Sequence, residues 1–171
     1  MTKQTIGWAR VARMAIPLLL TVLWIGFIFS NSMRDGAESD EQSHSVQEVI
    51  DAIFDSVGLD NPVEEGPLRK LAHFGEFAVL ALLYIGDWFG LGRLSLSSSR
   101  SVAFFRLFSA VPLCFLTACV DEFIQRFSAG RAPQLSDVLI DTAGALVATL
   151  VAMGIFYLLR AILLNRKSSV S

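Results

Sequence analysis

Polar side chains recur at helical spacing in two apolar segments, and their types are those that bind ionic ligands or transfer protons. His73 and Glu76 are three residues apart in "RKLAHFGEF", and Asp121, Glu122 and Gln125 lie together in "DEFIQR". An imidazole near carboxylates can work as a general acid and base, and carboxylates and amides can orient a polar ligand. These two segments are therefore the first places to look for function.

A third segment, "SDVLIDTAGALVA", contains Asp137 and Asp141 four residues apart, so both carboxylates lie on one helix face. The same face carries Gly144 and Ala148, whose small side chains allow a neighbouring helix to approach closely. We therefore expect this helix to present its carboxylates to the other two segments.

The elements that hold these residues are predicted to be membrane helices. Of the 171 residues, 53% are hydrophobic, and the mean hydropathy is +0.55, which is typical of integral membrane proteins. About 20 apolar residues cross the hydrocarbon core as a helix. We predict an all-α, polytopic membrane protein, a four-transmembrane-helix bundle with spans at about residues 14–32, 68–89, 102–127 and 136–159. The first span lacks a small-residue cleavage site, so we interpret it as a retained anchor.

The distribution of charge predicts the orientation of the bundle. Ten of the sixteen acidic residues lie between Asp35 and Glu65, whereas both tails are basic. Since positive charge is retained on the cytoplasmic side, we expect cytoplasmic tails at 1–13 and 165–171, a membrane domain at 14–164 and an outer loop at 33–67. Basic residues are too few and too dispersed for nucleic-acid binding.

The outer loop is predicted to contain an extracytoplasmic amphipathic helix. Apolar residues recur at helical spacing in "SVQEVIDAIFDSV", and Ser45 with Glu48 forms a capping box. Glu48, Asp51 and Asp55 would form its solvated face. We interpret this segment as a surface or lid helix without a chemical role.

The ionisable groups of the three segments are predicted to lie at matching depth. Only fourteen residues separate Arg106 from Asp121. They span about 21 Å of helix, less than the ~30 Å hydrocarbon core, so Asp121 falls inside the membrane. The same count places His73 and Glu76 about one to two turns below the outer boundary, and Asp141 lies one turn below Asp137, at the start of the fourth span. A charge at the centre of a membrane helix costs roughly 2.5 to 3.5 kcal/mol, so such groups face inward and find partners.

We therefore predict one outward-facing polar pocket at the outer end of the bundle. Its predicted lining is Lys70, His73, Glu76, Asp121, Glu122, Gln125, Arg126, Arg131, Asp137 and Asp141. The alternative is that the basic residues only neutralise the carboxylates and set the helix register. We favour a function, because an apolar interface would hold the helices as well without the cost of inserting charge.

No metal site, disulfide or cofactor is expected. The spacing of His73 and Glu76 is common by chance, and nearby arginines disfavour a cation. Cys114 and Cys119 lie on different sides of one apolar segment. We interpret them as packed or lipid-facing thiols.

The three segments together resemble the VanZ-like family. That family has K-x-x-H on one span, D-E-x-x-Q ahead of a G-R turn, and D-x-x-x-D/N-x-x-G at the start of the next span. The matching residues are Lys70, His73, Asp121, Glu122, Gln125, Gly130, Arg131, Asp137, Asp141 and Gly144. "FIFSNS" resembles the end of the family's first span, whereas Glu76 stands where many relatives have tyrosine.

This resemblance implies a small, multi-pass protein of the bacterial inner membrane. The namesake of the family is associated with resistance to the lipoglycopeptide teicoplanin. The resemblance supplies no established biochemical activity.

Two classes of function are open at this point. In the first, the pocket binds the headgroup of an envelope lipid or glycolipid, which basic side chains attract and carboxylates hydrogen-bond. In the second, an intramembrane hydrolase or transferase uses Asp121 or Glu122 as general base and His73 as partner acid. "DEFIQR" loosely resembles a motif of membrane glutamic proteases, but the later F-x-x-x-H of those enzymes is missing. The sequence supports no prediction of oligomeric state.

Overall fold

The computed structural model describes residues 2–33, 65–128 and 134–168, together with the single residues Ser45, Glu48, Ala52 and Ser56. Within the three ranges the chain forms five helices and no strand. They are α1 Thr2–Ser32, α2 Glu65–Gly90, α3 Arg100–Phe108, α4 Ala110–Gln125 and α5 Leu135–Ser168.

Four segments of these ranges are long and apolar enough to cross a membrane. They are Gly7–Ser32, Arg69–Gly90, Arg100–Gln125 and Leu135–Arg166. The predicted all-α, four-span architecture is therefore confirmed. Helices α1 and α5 also continue into the segments predicted as tails. A helix satisfies its own backbone hydrogen bonds in lipid and in water alike, so it need not end at the membrane boundary.

The third crossing consists of two helices, which the sequence analysis did not predict. Helix α3 ends at Phe108 and α4 begins at Ala110, with Ser109 between them. Pro112 has no backbone N–H, so it cannot donate to the carbonyl of Phe108, and the helix is interrupted one turn before the proline. The Ser109 hydroxyl donates to the Arg106 carbonyl at 2.7 Å and accepts a hydrogen bond from Trp88 Nε1 at 2.9 Å.

Helix α2 lies against α1, α4 and α5. Its buried residues Phe77, Leu80, Ala81 and Ile85 recur at helical spacing and form much of the apolar core. Large apolar side chains such as Leu150 on the outer surface remain exposed. Exposed apolar side chains of this kind suit contact with lipid.

Helices α2 and α5 run parallel and are in tight contact at Gly144. The rings of Phe89 and Phe156 are 6.2 Å apart further along the same pair of helices. A Cβ atom on Gly144 would collide with the backbone carbonyl of Phe74. Only glycine allows this approach, which also brings the preceding turns of the two helices together.

The bundle has two chemically different ends. We call the end with Ser32, His73, Gln125 and Leu135 the polar end. At the opposite, arginine end, a cavity of about 520 Å³ is lined by Arg10, Arg13, Met14, Leu91, Gly92 and Arg93. Arg160 donates to the Ser98 carbonyl at this same end, so the beginning of α1 and the last turns of α5 both lie at the arginine end.

Candidate functional site

Three helices bring an imidazole and two carboxylates together at the polar end. His73 lies on α2, Asp121 on α4 and Asp141 on α5. His73 Nδ1 is 3.7 Å from Asp141 Oδ1, and one donor atom from each of the three residues lies within 4.8 Å of the others. These residues were predicted to lie at matching depth on three helices, and the structure brings them into one cluster.

Both carboxylates of the cluster are almost completely removed from the surface. Asp121 is 1% exposed and Asp141 is 2% exposed, whereas the side chain of His73 retains 13% exposure. Asp141 Oδ1 has no hydrogen-bond partner among the described residues. Burying two carboxylates so close together costs free energy unless a cation or a proton compensates them.

The polar cluster, as we define it, consists of His73, Asp121, Asp141, Gln125 and Ser32. The Gln125 amide nitrogen lies 3.2 Å from Asp121 Oδ2 and 3.4 Å from the Ser32 hydroxyl. Ser32 and Gln125 are both 1% exposed. These contacts orient the Asp121 carboxylate and make the end of α1 part of the site.

Glu76 lies next to the polar cluster and contacts α1. Asn31 Nδ2 donates to Glu76 Oε1 at 3.1 Å, and Trp24 Nε1 donates to the Glu76 carbonyl at 3.0 Å. Sequence reasoning did not place Asn31 or Ser32 in the site. Their signal was present, because both are polar residues at the outer end of the first span, at the depth of the other groups.

Glu122 has a different partner from its neighbour Asp121. Its carboxylate accepts a hydrogen bond from the backbone N–H of Gln134, the residue before α5. Glu122 is 8% exposed. Its hydrogen bond to Gln134 joins the end of α4 to the beginning of α5. Helix α5 begins at Leu135, so Ser136 lies inside its first turn.

A cavity of about 140 Å³ reaches the cluster from the polar end. It is lined by Arg69, Lys70, His73, Gln134, Asp137 and Ile140. Lys70 is exposed and Arg69 is partly buried. His73 is thus shared between the cavity and the buried cluster, so a ligand in the cavity would meet basic side chains first and the imidazole next.

The structure does not bring every predicted residue to the cluster. Arg126 is exposed, and its guanidinium lies over the ring of Phe123 at 5.9 Å from the centroid. Arg131 lies outside the described residues, as do Asp51 and Asp55. Glu48 is helical and exposed, as expected for a solvated face.

A further buried carboxylate lies far from the cluster, near the arginine end. Asp87 is 8% exposed, and its Oδ2 accepts a hydrogen bond from the Thr21 hydroxyl at 3.0 Å. Because Asp87 shares burial with the cluster but not its position, it provides a useful control residue. The cysteines are free, with Cys114 buried and Cys119 exposed, in agreement with their predicted directions.

Comparison with known proteins adds one match. A family model described as VanZ/LLP1 matches residues 17–160, a range that contains the whole polar cluster and the residues that line its cavity. A search of curated proteins found no match, and a search of solved structures found none either.

Proposed function

The chain belongs to the VanZ/LLP1 family, and we propose that its polar end binds the anionic headgroup of an envelope lipid or glycolipid. The observation that supports this proposal most directly is a cavity lined by Arg69, Lys70 and His73 at the polar end. Phosphate is the anion that membrane lipids commonly present at this depth. Arginine and lysine bind phosphate oxygens through charge-assisted hydrogen bonds.

The polar residues of the cavity suit the remainder of such a headgroup. The Asp137 carboxylate can accept hydrogen bonds from sugar hydroxyls or peptide N–H groups, and the Gln134 side-chain amide can both donate and accept. The cavity is small, so it fits one phosphate or a similar group while the rest of the headgroup stays outside. The lipid chains would lie along the apolar outer surface of the bundle.

The proposed location is the bacterial inner membrane, with both termini in the cytoplasm and the polar end facing outward. The support is the set of arginines at the opposite end, since positive charge is retained on the cytoplasmic side. A reporter that functions only in the cytoplasm is expected to be active after residue 171 and silent when inserted near residue 60. The reverse pattern would place the polar end in the cytoplasm.

The binding proposal predicts that an anionic lipid stays with the purified protein. Native mass spectrometry in a mild detergent is expected to detect this lipid on the wild-type chain. Replacing both Arg69 and Lys70 with glutamine should reduce the bound fraction at least about tenfold, because two charge-assisted contacts are lost. The matched control is Arg93→Gln, which removes an exposed arginine at the other end. Equal lipid retention in all three proteins would contradict the proposal.

A second candidate function is hydrolysis of the bound headgroup, which the 3.7 Å contact between His73 and Asp141 favours. Asp121 would take a proton from water as the water oxygen attacks phosphorus. The bond from phosphorus to the leaving oxygen would break, and His73 would protonate that oxygen. Incubation with a polyprenyl diphosphate and measurement of released phosphate tests this function. If the lipid binds but no phosphate is released, hydrolysis is refuted and only the binding function stands.

A further inference from the structure

We infer that His73, Asp121 and Asp141 form a binding site for a divalent transition-metal ion, of which Mn²⁺ and Zn²⁺ fit the donor set best. The three side chains offer one imidazole nitrogen and two carboxylate oxygens. Imidazole suits Zn²⁺ and similar ions, and carboxylates suit harder ions such as Mn²⁺. The site is the one used in the proposed function, but metal binding can be measured without any lipid.

The distances between the donor atoms are close to those of a metal site. Ligand atoms about 2.1 Å from a metal lie about 3.4 Å apart in a tetrahedron and up to about 4.2 Å apart across an octahedron. In the structure the donor atoms lie within 4.8 Å of one another, and His73 Nδ1 is 3.7 Å from Asp141 Oδ1. Each side chain would move by less than about 1 Å to coordinate a metal.

The burial and the charge of the two carboxylates also favour a bound metal cation. Asp121 and Asp141 are 1% and 2% exposed, and Asp141 Oδ1 has no hydrogen-bond partner within the described part of the chain. A dication would neutralise the two buried carboxylates without requiring a charged imidazole. It would also supply a bond to the Asp141 oxygen, which removes most of the cost of burial.

A neighbouring residue holds one ligand in place. Gln125 donates to Asp121 Oδ2, and its nitrogen also lies near the Ser32 hydroxyl. Metal sites commonly use such contacts to orient a coordinating carboxylate. Gln125 is thus a positioning residue for the Asp121 carboxylate.

Of the arginines that count against a cation, Arg126 and Arg69 lie outside the buried cluster, and Arg131 lies outside the described residues. Arg126 is exposed, and its guanidinium lies over the Phe123 ring. Arg69 and Lys70 line the cavity above His73, while Asp121 and Asp141 do not line it. Basic residues in that position would hold an anion against the metal, so that a phosphate oxygen or water completes the coordination from the cavity side.

The direct test is the metal content of the purified full-length chain. The protein is stripped with a chelator in mild detergent, loaded with Mn²⁺ or Zn²⁺ in separate samples, and freed of excess ion by gel filtration. Elemental analysis is expected to find about one ion per chain in the wild type. His73→Gln and Asp141→Asn are each expected to retain less than about a tenth of that amount, because each removes a ligand.

The chain offers matched controls for both ligand types. His44→Gln removes the other of the two histidines, and Asp87→Asn removes a buried carboxylate outside the cluster. Both controls should retain the metal. Asp121→Asn serves as the second variant if either ligand variant fails to fold.

Two results would overturn the inference. One is a wild-type chain that binds neither ion, and the other is retention of metal by folded variants of His73, Asp121 and Asp141. A chain that binds lipid but no metal would refute the metal site and leave the proposed function standing. A chain that binds metal but no lipid would support the metal site and refute the proposed function.

Discussion

Near-isosteric changes in the polar cluster are expected to abolish headgroup binding and any effect of the protein on lipoglycopeptide susceptibility. In His73→Gln and Asp141→Asn the side-chain volume is almost unchanged, but a charged or proton-carrying group is lost. Removing one member of a buried charged pair costs about 2 kcal/mol or more of binding, equivalent to at least about thirty-fold weaker affinity. The expected result is a null phenotype in a deletion host, with expression and melting temperature near wild type.

The specificity of this result depends on two further variants. Glu48→Gln changes an exposed carboxylate and should leave susceptibility unchanged. Glu122→Gln tests whether the contact with the Gln134 backbone is structural, since an amide oxygen can still accept that hydrogen bond. If the folded His73→Gln and Asp141→Asn variants change lipoglycopeptide susceptibility as much as the wild type does, the cluster is structural and the proposed function is refuted.

Replacing Gly144 with alanine is expected to destabilise the bundle by about 1 to 3 kcal/mol, because the new methyl group overpacks a tight interface. The methyl would meet the Phe74 carbonyl, a backbone atom that cannot move without shifting α2. Since His73 directly precedes Phe74, the same shift would separate His73 from Asp141. The variant should therefore melt earlier and bind its ligand more weakly.

Gly154→Ala is the matched control for this prediction. Gly154 lies on the same helix, and a Cβ there would have no neighbour within 4 Å. Its melting temperature and ligand binding should match those of the wild type. If Gly144→Ala also melts like the wild type, the close approach of α2 and α5 is not needed for stability.

The sequence was sufficient for the four crossings and for placing the polar groups of three helices together. Both follow from quantities that do not depend on packing, namely the rise of a helix, the thickness of the hydrocarbon core and the cost of inserting charge. For this reason His73, Asp121 and Asp141 were predicted to share one site although 68 positions separate the first from the last. The inward direction of these groups followed from the same cost.

Details of partners were less predictable, because neighbouring residues on one helix can face different surroundings. Arg126 was assigned to the site and instead lies over Phe123. Glu122 was predicted to line the pocket with Asp121, and its carboxylate accepts a hydrogen bond from the backbone N–H of Gln134, before α5. Pro112 was visible in the sequence, but the interruption at Ser109 was not inferred from it.

The sequence by itself thus determined that this is a four-span helical membrane protein with ionisable groups gathered at one end of the bundle. Only the tertiary structure decided which of those groups meet. Depth is a property of each helix separately, whereas a contact depends on the rotation and separation of two helices. At the polar end that separation depends on the absence of a side chain on Gly144, which lets α5 reach the backbone of α2 and places Asp141 beside His73.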